Sequence, residues 1–498
     1  MPRPAPKCPR LWSALRRYLV IALACGTAFA SLPARAAVSE PDGRPDDAFD
    51  LMNLLAARGW HDLANERWNL YGQFTWISSF KRPFAAPYTN WNGSNKSLRA
   101  EAEHSFTGSA TLYVGLRLWP GGEVYLVPEV ISSRPLSNLG GLGGAIQNFE
   151  LQKTGSEVPS VYLSRAYLRQ NIDLGGAPVV KASDPMQLGT AVTARRLVLT
   201  LGNFSVLDFM DKNAYSGDLR RQFINMAFLT HSAYDFAADA RGYAWGAVAE
   251  LIWDDWTLRV ARMTPPALPN QLDIDFRLTT VYGDQLELEH VHRLGGRPGA
   301  VHVLGYRNVE HIGRFDTAVA AWRADPKRNA ASCVGFDYDS ANATAPDLCW
   351  ARKMGSKMGI GLNLEQEIDD DVGVFLRTMY SDGNSEVYSY TSTDRSLSLG
   401  LLAKGKRWHR SADMAGVGVG SGWISSAHAE FLSLGGVDGF VGDGRITAAS
   451  ERVLEAFYSV NLTATLWLTG DYQHISNPGF NADRGPVDIF GVRAHGEF

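Results

Sequence analysis

Val487-Asp488-Ile489-Phe490-Gly491-Val492-Arg493-Ala494-His495-Gly496-Glu497-Phe498 is the last stretch of the chain. Phe490, Val492, Ala494, Gly496 and Phe498 share one parity; Gly491, Arg493, His495 and Glu497 share the other. An apolar-against-charged period of two marks a β-strand with one greasy and one wet face. A soluble fold rarely leaves such an aromatic strand exposed. A sheet that closes on itself in a bilayer needs one, because its final strand pairs with its first and faces lipid.

Working outward, the 498 residues are 45% hydrophobic and 20% charged, with 49 glycines. That length suits two or three soluble domains or one large closed sheet. Beyond the N-terminal leader, no run approaches the ~18 apolar residues of a spanning helix. The leader has Arg3, Lys7, Arg10, Arg16 and Arg17, an apolar run from Tyr18 to Ala30, and Ala34-Arg35-Ala36 before Ala37. It reads as an export signal over residues 1–36 with cleavage after Ala36. A lipoprotein-type cut at Cys25 is the rival reading, and it would cut the apolar core short. Removing 1–36 takes six basic residues and no acidic ones, moving the formal charge from −4 to −10. So acidic a chain argues against a nucleic-acid partner. Of the remaining cysteines, Cys333 and Cys349 lie close together in an Asp- and Asn-rich segment. In an oxidising compartment they are expected to form a disulfide that pins one surface loop.

Segments of ~10 residues with alternating hydrophobicity, enough for a tilted strand to cross hydrocarbon, recur throughout. They fall near 67–79, 106–119, 122–132, 160–172, 195–204, 241–253, 256–264 and 283–294. The second half adds 299–309, 356–367, 372–381, 394–404, 409–420, 450–460, 463–474 and 486–498. The sum, sixteen, is even, as bacterial single-chain barrels require. Connections alternate between long and short, with 173–194 an unusually long one on the short-turn side. The fold class is therefore all-β: a sixteen-stranded antiparallel transmembrane barrel over 67–498, wide enough for an aqueous channel. Residues 37–66 form a periplasmic segment, with a short helix expected within Phe49 to Leu63 from the spacing of Leu51, Leu54, Leu55 and Leu63.

Several stretches resemble the carbohydrate-selective porins of Gram-negative outer membranes, the OprB-type family. They include Glu66-Arg67-Trp68-Asn69-Leu70-Tyr71-Gly72-Gln73-Phe74, Leu116-Arg117-Leu118-Trp119-Pro120-Gly121-Gly122-Glu123 and Gly140-Gly141-Leu142-Gly143-Gly144-Ala145-Ile146-Gln147-Asn148. Tyr234-Asp235-Phe236-Ala237-Ala238-Asp239-Ala240-Arg241-Gly242-Tyr243 and Asn477-Pro478-Gly479-Phe480-Asn481-Ala482-Asp483-Arg484-Gly485-Pro486 continue the match in order. The resemblance implies an outer-membrane channel for passive diffusion of monosaccharides and related small polar solutes. Terminal Phe498 resembles the signal read by the outer-membrane assembly machinery. Lipid and lipopolysaccharide are the expected surroundings, and a homotrimer follows from general porin architecture.

If one strand face meets lipid, the other lines water. Arg165, Tyr167 and Arg169 place two guanidinium groups around one phenol, with Glu123, Tyr125 and Glu129 on the neighbouring strand. Arg117 and Arg259 join them by parity. Sugars offer hydroxyls and a flat apolar ring face, which suit Arg donors, carboxylate acceptors and aromatic stacking. This cluster is the expected constriction; the competing reading is a set of cross-strand pairs that keep the barrel in shape. The 205–240 loop carries many aromatics and has two readings: it folds into the lumen and narrows it, or it forms a compact external lid or a contact with a neighbouring subunit. Inward Gly115, Gly246, Gly359 and Gly361 are read as open space, against the alternative of a closed-lumen barrel that binds surface polysaccharide. No catalytic, cofactor or metal motif is read: the 140–144 glycines lie in a loop, and His290 and His292 lack a third ligand.

Overall fold

The computed structural model describes residues 51–327, 344–348 and 351–498. Among these, sixteen antiparallel strands form a closed barrel in which sequence neighbours pair throughout. The first eight are β1 (Trp68–Lys81), β2 (Glu103–Trp119), β3 (Gly122–Arg134), β4 (Ser160–Lys181), β5 (Thr190–Phe204), β6 (Ala244–Trp253), β7 (Trp256–Met263) and β8 (Tyr282–Leu294). The rest are β9 (Arg297–Ile312), β10 (Lys353–Glu367), β11 (Val372–Ser381), β12 (Arg395–Gly405), β13 (Arg410–Trp423), β14 (Glu451–Thr463), β15 (Leu466–Ser476) and β16 (Val487–Glu497).

The two faces sort as the alternation demands. On β16, Phe490 and Val492 are 46% and 52% exposed while Arg493 is wholly buried. An apolar exterior over a charged interior inverts the soluble arrangement, and only lipid outside makes it favourable. No helix among the described residues is long and apolar enough to cross a membrane. The seam is closed by β16 against β1, from Gln73↔Glu497 to Lys81↔Ile489. It ends in a backbone pair, with Gly72 N–H donating to Phe498 O at 2.7 Å and Phe498 N–H to Gly72 O at 2.9 Å. Tryptophans 253 and 256 face each other across the Asp254-Asp255 turn, at the level where aromatic girdles form.

Two expectations are corrected. The 173–194 connection is mostly strand, since β4 runs to Lys181 and β5 begins at Thr190. Gly175-Gly176-Ala177-Pro178 reads as a breaker, but bulges beside Gly175 absorb it, with Gly175 and Gly176 at φ of 98° and 93°. The hairpin tip turns back into the barrel mouth, where Asn69 Nδ2 donates to Gln187 O at 2.9 Å. The short N-terminal helix is present but ends well before Leu63: α1 spans Leu51–Ala57. It stops because Gly59 adopts a φ of 71° and Trp60 N–H returns to Leu55 O, a glycine-terminated end. Its Met52 is buried against inward-facing Tyr71 and Tyr113 in the same mouth.

The second correction concerns the inward glycines, which are not open space. A Cβ on Gly361 would lie 2.8 Å from His231, one on Gly359 2.5 Å from Tyr306, one on Gly246 2.5 Å from Met263, and one on Gly115 2.5 Å from Asn69. Loops and neighbouring side chains fill those places. The export signal and the cysteines 333 and 349 lie outside the described residues.

Candidate functional site

The 205–243 loop, which includes the one-turn helix α2 (Met226–Leu229), enters from the long-loop end and is held against distant wall strands. On one side, Arg377 of β11 donates to Asp211 O and Ser216 O at 3.1 and 2.7 Å and to Phe228 O at 3.0 Å. Glu287 of β8 accepts from Asp211 N–H at 2.6 Å, and Asn363 of β10 donates to Asp211 Oδ1 at 2.7 Å. On the other side, Glu455 of β14 accepts from Ile224 and Asn225 N–H at 2.6 and 3.0 Å. Arg493 of β16 donates to Leu219 O and Gln222 O at 2.6 and 2.7 Å. The loop thus spans the lumen from β8–β11 to β14–β16, its backbone held by wall charges that have no water to replace those bonds.

Its apolar residues explain why it goes in. Phe223 and Phe228 pack 4.9 Å apart, centroid to centroid, with Phe223 5.0 Å from Phe457. Both rest on the inward glycine stripe of β13: a Cβ on Gly418 would lie 2.9 Å from Phe228 and 3.1 Å from Phe223. Burying each phenylalanine contributes about 2 kcal/mol. The 135–159 loop joins it: Glu451 accepts from the backbone N–H groups of Gly143, Gly144 and Ala145 at 2.8–3.0 Å. The glycine-rich stretch does form an anion cradle, but its anion is the protein's own carboxylate.

Arg165, Tyr167 and Arg169 do meet Glu123, Tyr125 and Glu129 across β3 and β4, with Tyr125↔Tyr167 and Glu123↔Arg169 in register. Most of their polar atoms are engaged within the protein. Arg165 donates to Asp208 at the base of the 205–243 loop through Nε (2.7 Å) and Nη2 (2.6 Å). Arg169 donates to Met186 O at 3.0 Å and lies 5.0 Å over the Tyr125 ring. Glu123 accepts from the Tyr125 hydroxyl at 2.8 Å, and Tyr125 in turn accepts from Leu188 N–H at 3.1 Å. Glu129 pairs with Lys153 at 2.8 Å and accepts from Tyr162 and Thr111. Arg117 sits at the periplasmic rim, donating to Asn65 Oδ1 at 2.7 Å and Gly189 O at 3.1 Å. Arg259 lies on β7, linking Glu250 (2.9 Å) and Glu287 (2.8 Å) and reaching Glu289.

Water-facing surface survives along the loop from Lys212 to Gln222, where Lys212, Gly217 and Asp218 are exposed and Arg220 and Arg221 are half-buried. Beside this rim is a cavity of about 220 Å³ lined by Gln73, Tyr113, Pro185, Asp218, Arg220, His495 and Glu497. Arg220 Nη2 lies 3.7 Å from Glu129 and 3.8 Å from Glu150, so two buried carboxylates aim it. The Arg221 guanidinium lies 4.2 Å over the inward ring of Trp467.

A barrel with a polar lumen narrowed by an infolded loop is a channel architecture, and sequence comparison gives it a family. The family model for carbohydrate-selective porins, OprB family, matches residues 95–498. The chain belongs to that family. It is a carbohydrate-selective porin of the Gram-negative outer membrane.

Among solved structures, the porin is similar to Pseudomonas putida OprB at high pH, with a TM-score of 0.62 and 15% identity, covering 86% of this chain and 94% of that one. The low-pH structure of the same protein aligns over 86% and 92% with a TM-score of 0.45 and 11% identity. The outer-membrane channel DcaP of Acinetobacter baumannii aligns over 86% and 97% with a TM-score of 0.47 and 10% identity. No curated protein matches the porin by sequence.

The loop's aromatics were legible in the sequence, but the partners that hold its backbone were not. Glu451 and Glu455 were missed, although alternation along β14 places both inward. Gln73, Pro185 and Glu497 were missed because the cavity joins β1, β16 and the β4–β5 tip, segments far apart in the chain.

Proposed function

We propose that the porin passes monosaccharide-sized solutes by passive diffusion, and that its selectivity is set at the rim formed by Asp218, Arg220 and Arg221. The single observation that carries this reading is the cavity of about 220 Å³ on which that rim opens. Its walls mix donors (Arg220, Gln73), acceptors (Asp218, Glu497) and an aromatic ring (Tyr113), the set that sugar hydroxyls and ring faces need. A channel site has to bind weakly enough to release its solute, and partly exposed charges in water meet that condition. Arg165 and Arg169, with Tyr167, Glu123, Tyr125 and Glu129, act by positioning: they hold the base of the loop and the periplasmic tip that frame the opening. Trimers in a lipopolysaccharide leaflet are the natural assembly for such a porin.

Liposome swelling tests this. Glucose should enter faster than a disaccharide or a charged amino acid. Equal entry of solutes of equal size removes the selectivity. Absence of all flux moves the porin to the closed-lumen, polysaccharide-binding alternative.

A further inference from the structure

We propose that Glu287, Glu289 and His302 hold a divalent transition-metal ion, with zinc the best match, in the lumen wall opposite β16 and β1. None of the three lines the cavity beside Arg220, although Glu287 also accepts from Asp211 N–H of the infolded loop. Glu287 and Glu289 stand two residues apart on the inward face of β8, and His302 of β9 is the register partner of Glu289. One ligand atom from each of the three lies within 4.8 Å of the others.

The imidazole is the observation that points to a ligand. His302 is 3% exposed, and its Nδ1 has no hydrogen-bond partner among the described residues. That atom lies 3.7 Å from Glu287 Oε1 and 3.8 Å from Glu289 Oε2, aimed between them and too far to bond either. A buried polar nitrogen left in this state is costly. Metal bonds of about 2.0–2.2 Å would draw the three atoms together by small side-chain rotations.

Charge and access agree. Arg259 Nη1 donates to the same two oxygens that face the imidazole, Glu287 Oε1 at 2.8 Å and Glu289 Oε2, each of which keeps a second lone pair for a metal, and its Nε binds Glu250. One guanidinium facing three carboxylates leaves two negative charges, the complement of a divalent cation. Arg259 then acts on the ligands as outer hydrogen-bonding groups do at metal sites, fixing their orientation. The Glu289 side chain is 15% exposed, which gives the ion a way in from lumen water. An imidazole with two carboxylates favours zinc over the hard, oxygen-seeking calcium and magnesium.

The test uses the whole porin, purified in detergent, freed of metal by chelation and titrated with zinc chloride by calorimetry. One equivalent should bind saturably, while magnesium chloride should give no heat. Glu289→Gln and His302→Ala should each weaken zinc binding by about tenfold or more. X-ray absorption of the zinc-loaded wild type should show imidazole among nitrogen and oxygen ligands, a readout that stands even where a variant does not fold. Overturning results are no saturable uptake, as when a protonated His302 simply completes the ion-pair network, uptake unchanged in both variants, or a spectrum without imidazole.

Discussion

At the residue scale, Arg220 and the pair Arg165 and Arg169 make different predictions although all three are lumen arginines. Arg220 is aimed by Glu129 and Glu150 but keeps a quarter of its side chain in water, at 24% exposure. Arg220→Ala should raise single-channel conductance and weaken the block of current by glucose several-fold, with folding intact, because no loop backbone hangs on it. Arg165 is committed to Asp208, and removing it leaves a carboxylate at the loop base without its bidentate partner. Arg165→Ala should therefore destabilise, by about 3 kcal/mol at most for a pair still partly wetted. Thermal unfolding separates the two: a conductance change without a stability change belongs to Arg220. Gly418 gives the opposite kind of test. Its missing Cβ is the space that Phe228 and Phe223 occupy. Gly418→Leu should push the loop off the β13 wall at a cost of roughly 1–3 kcal/mol. Conductance should rise and selectivity fall; an unchanged conductance would mean that the loop does not depend on that wall.

Between elements, the structure holds more than the alternation pattern could reveal. The strands were legible because each one carries its own period of two, and the β3–β4 pairing followed from short-range order along the chain. Tyr125 opposite Tyr167 is a consequence of those two facts. Whether that cluster faces water was not legible, because the answer lies with Met186, Leu188 and Asp208, on segments the strand pattern does not place. The loop's inward turn was readable from its aromatics, whereas its anchors Arg377, Glu455 and Arg493 belong to strands some 150 to 270 residues away. The external loops are tied in the same long-range way. His428 on α4 (Ser426–Ser433) lies between Asp394 at 3.2 Å and Asp438 at 3.3 Å, stacked 4.2 Å from Phe315 of α3 (Phe315–Ala324). Burial alone would lower its pKa, but the Asp394 and Asp438 carboxylates outweigh burial and raise it to about 9 from the ordinary 6.5. A raised histidine pKa stabilises fully below about pH 6.5, and that contribution fades as pH climbs through about 9. The shift corresponds to about 3 kcal/mol. Limited proteolysis of the porin should find the 424–450 loop resistant at pH 6 and markedly more sensitive near pH 10. His428→Gln should be sensitive throughout, with the pH dependence gone.

For the whole molecule, everything inside rests on the ring staying shut at the seam between β16 and β1. Each strand in a barrel gets its backbone bonds from two neighbours, and in lipid no water stands in for a lost one. Opening the seam therefore exposes two edges at once. The seam's last bonds are the reciprocal Gly72–Phe498 pair, with the Phe498 ring lying over the place where a Gly72 side chain would be. A Cβ there would come 2.3 Å from that ring. Gly72→Leu should displace Phe498, break both bonds and lower the temperature at which the folded, fast-migrating band converts to the unfolded one in detergent gels. The cost should be roughly 1–3 kcal/mol, the scale of overpacking a close contact. Gly470 supplies the control. It also faces outward, on β15, but a Cβ on it meets nothing within 4 Å. Gly470→Leu should leave the conversion temperature unchanged, since it adds only apolar surface to lipid. If both variants melt together with the wild type, closure does not depend on the terminal pair, and the register from Gln73 to Lys81 carries the seam without it.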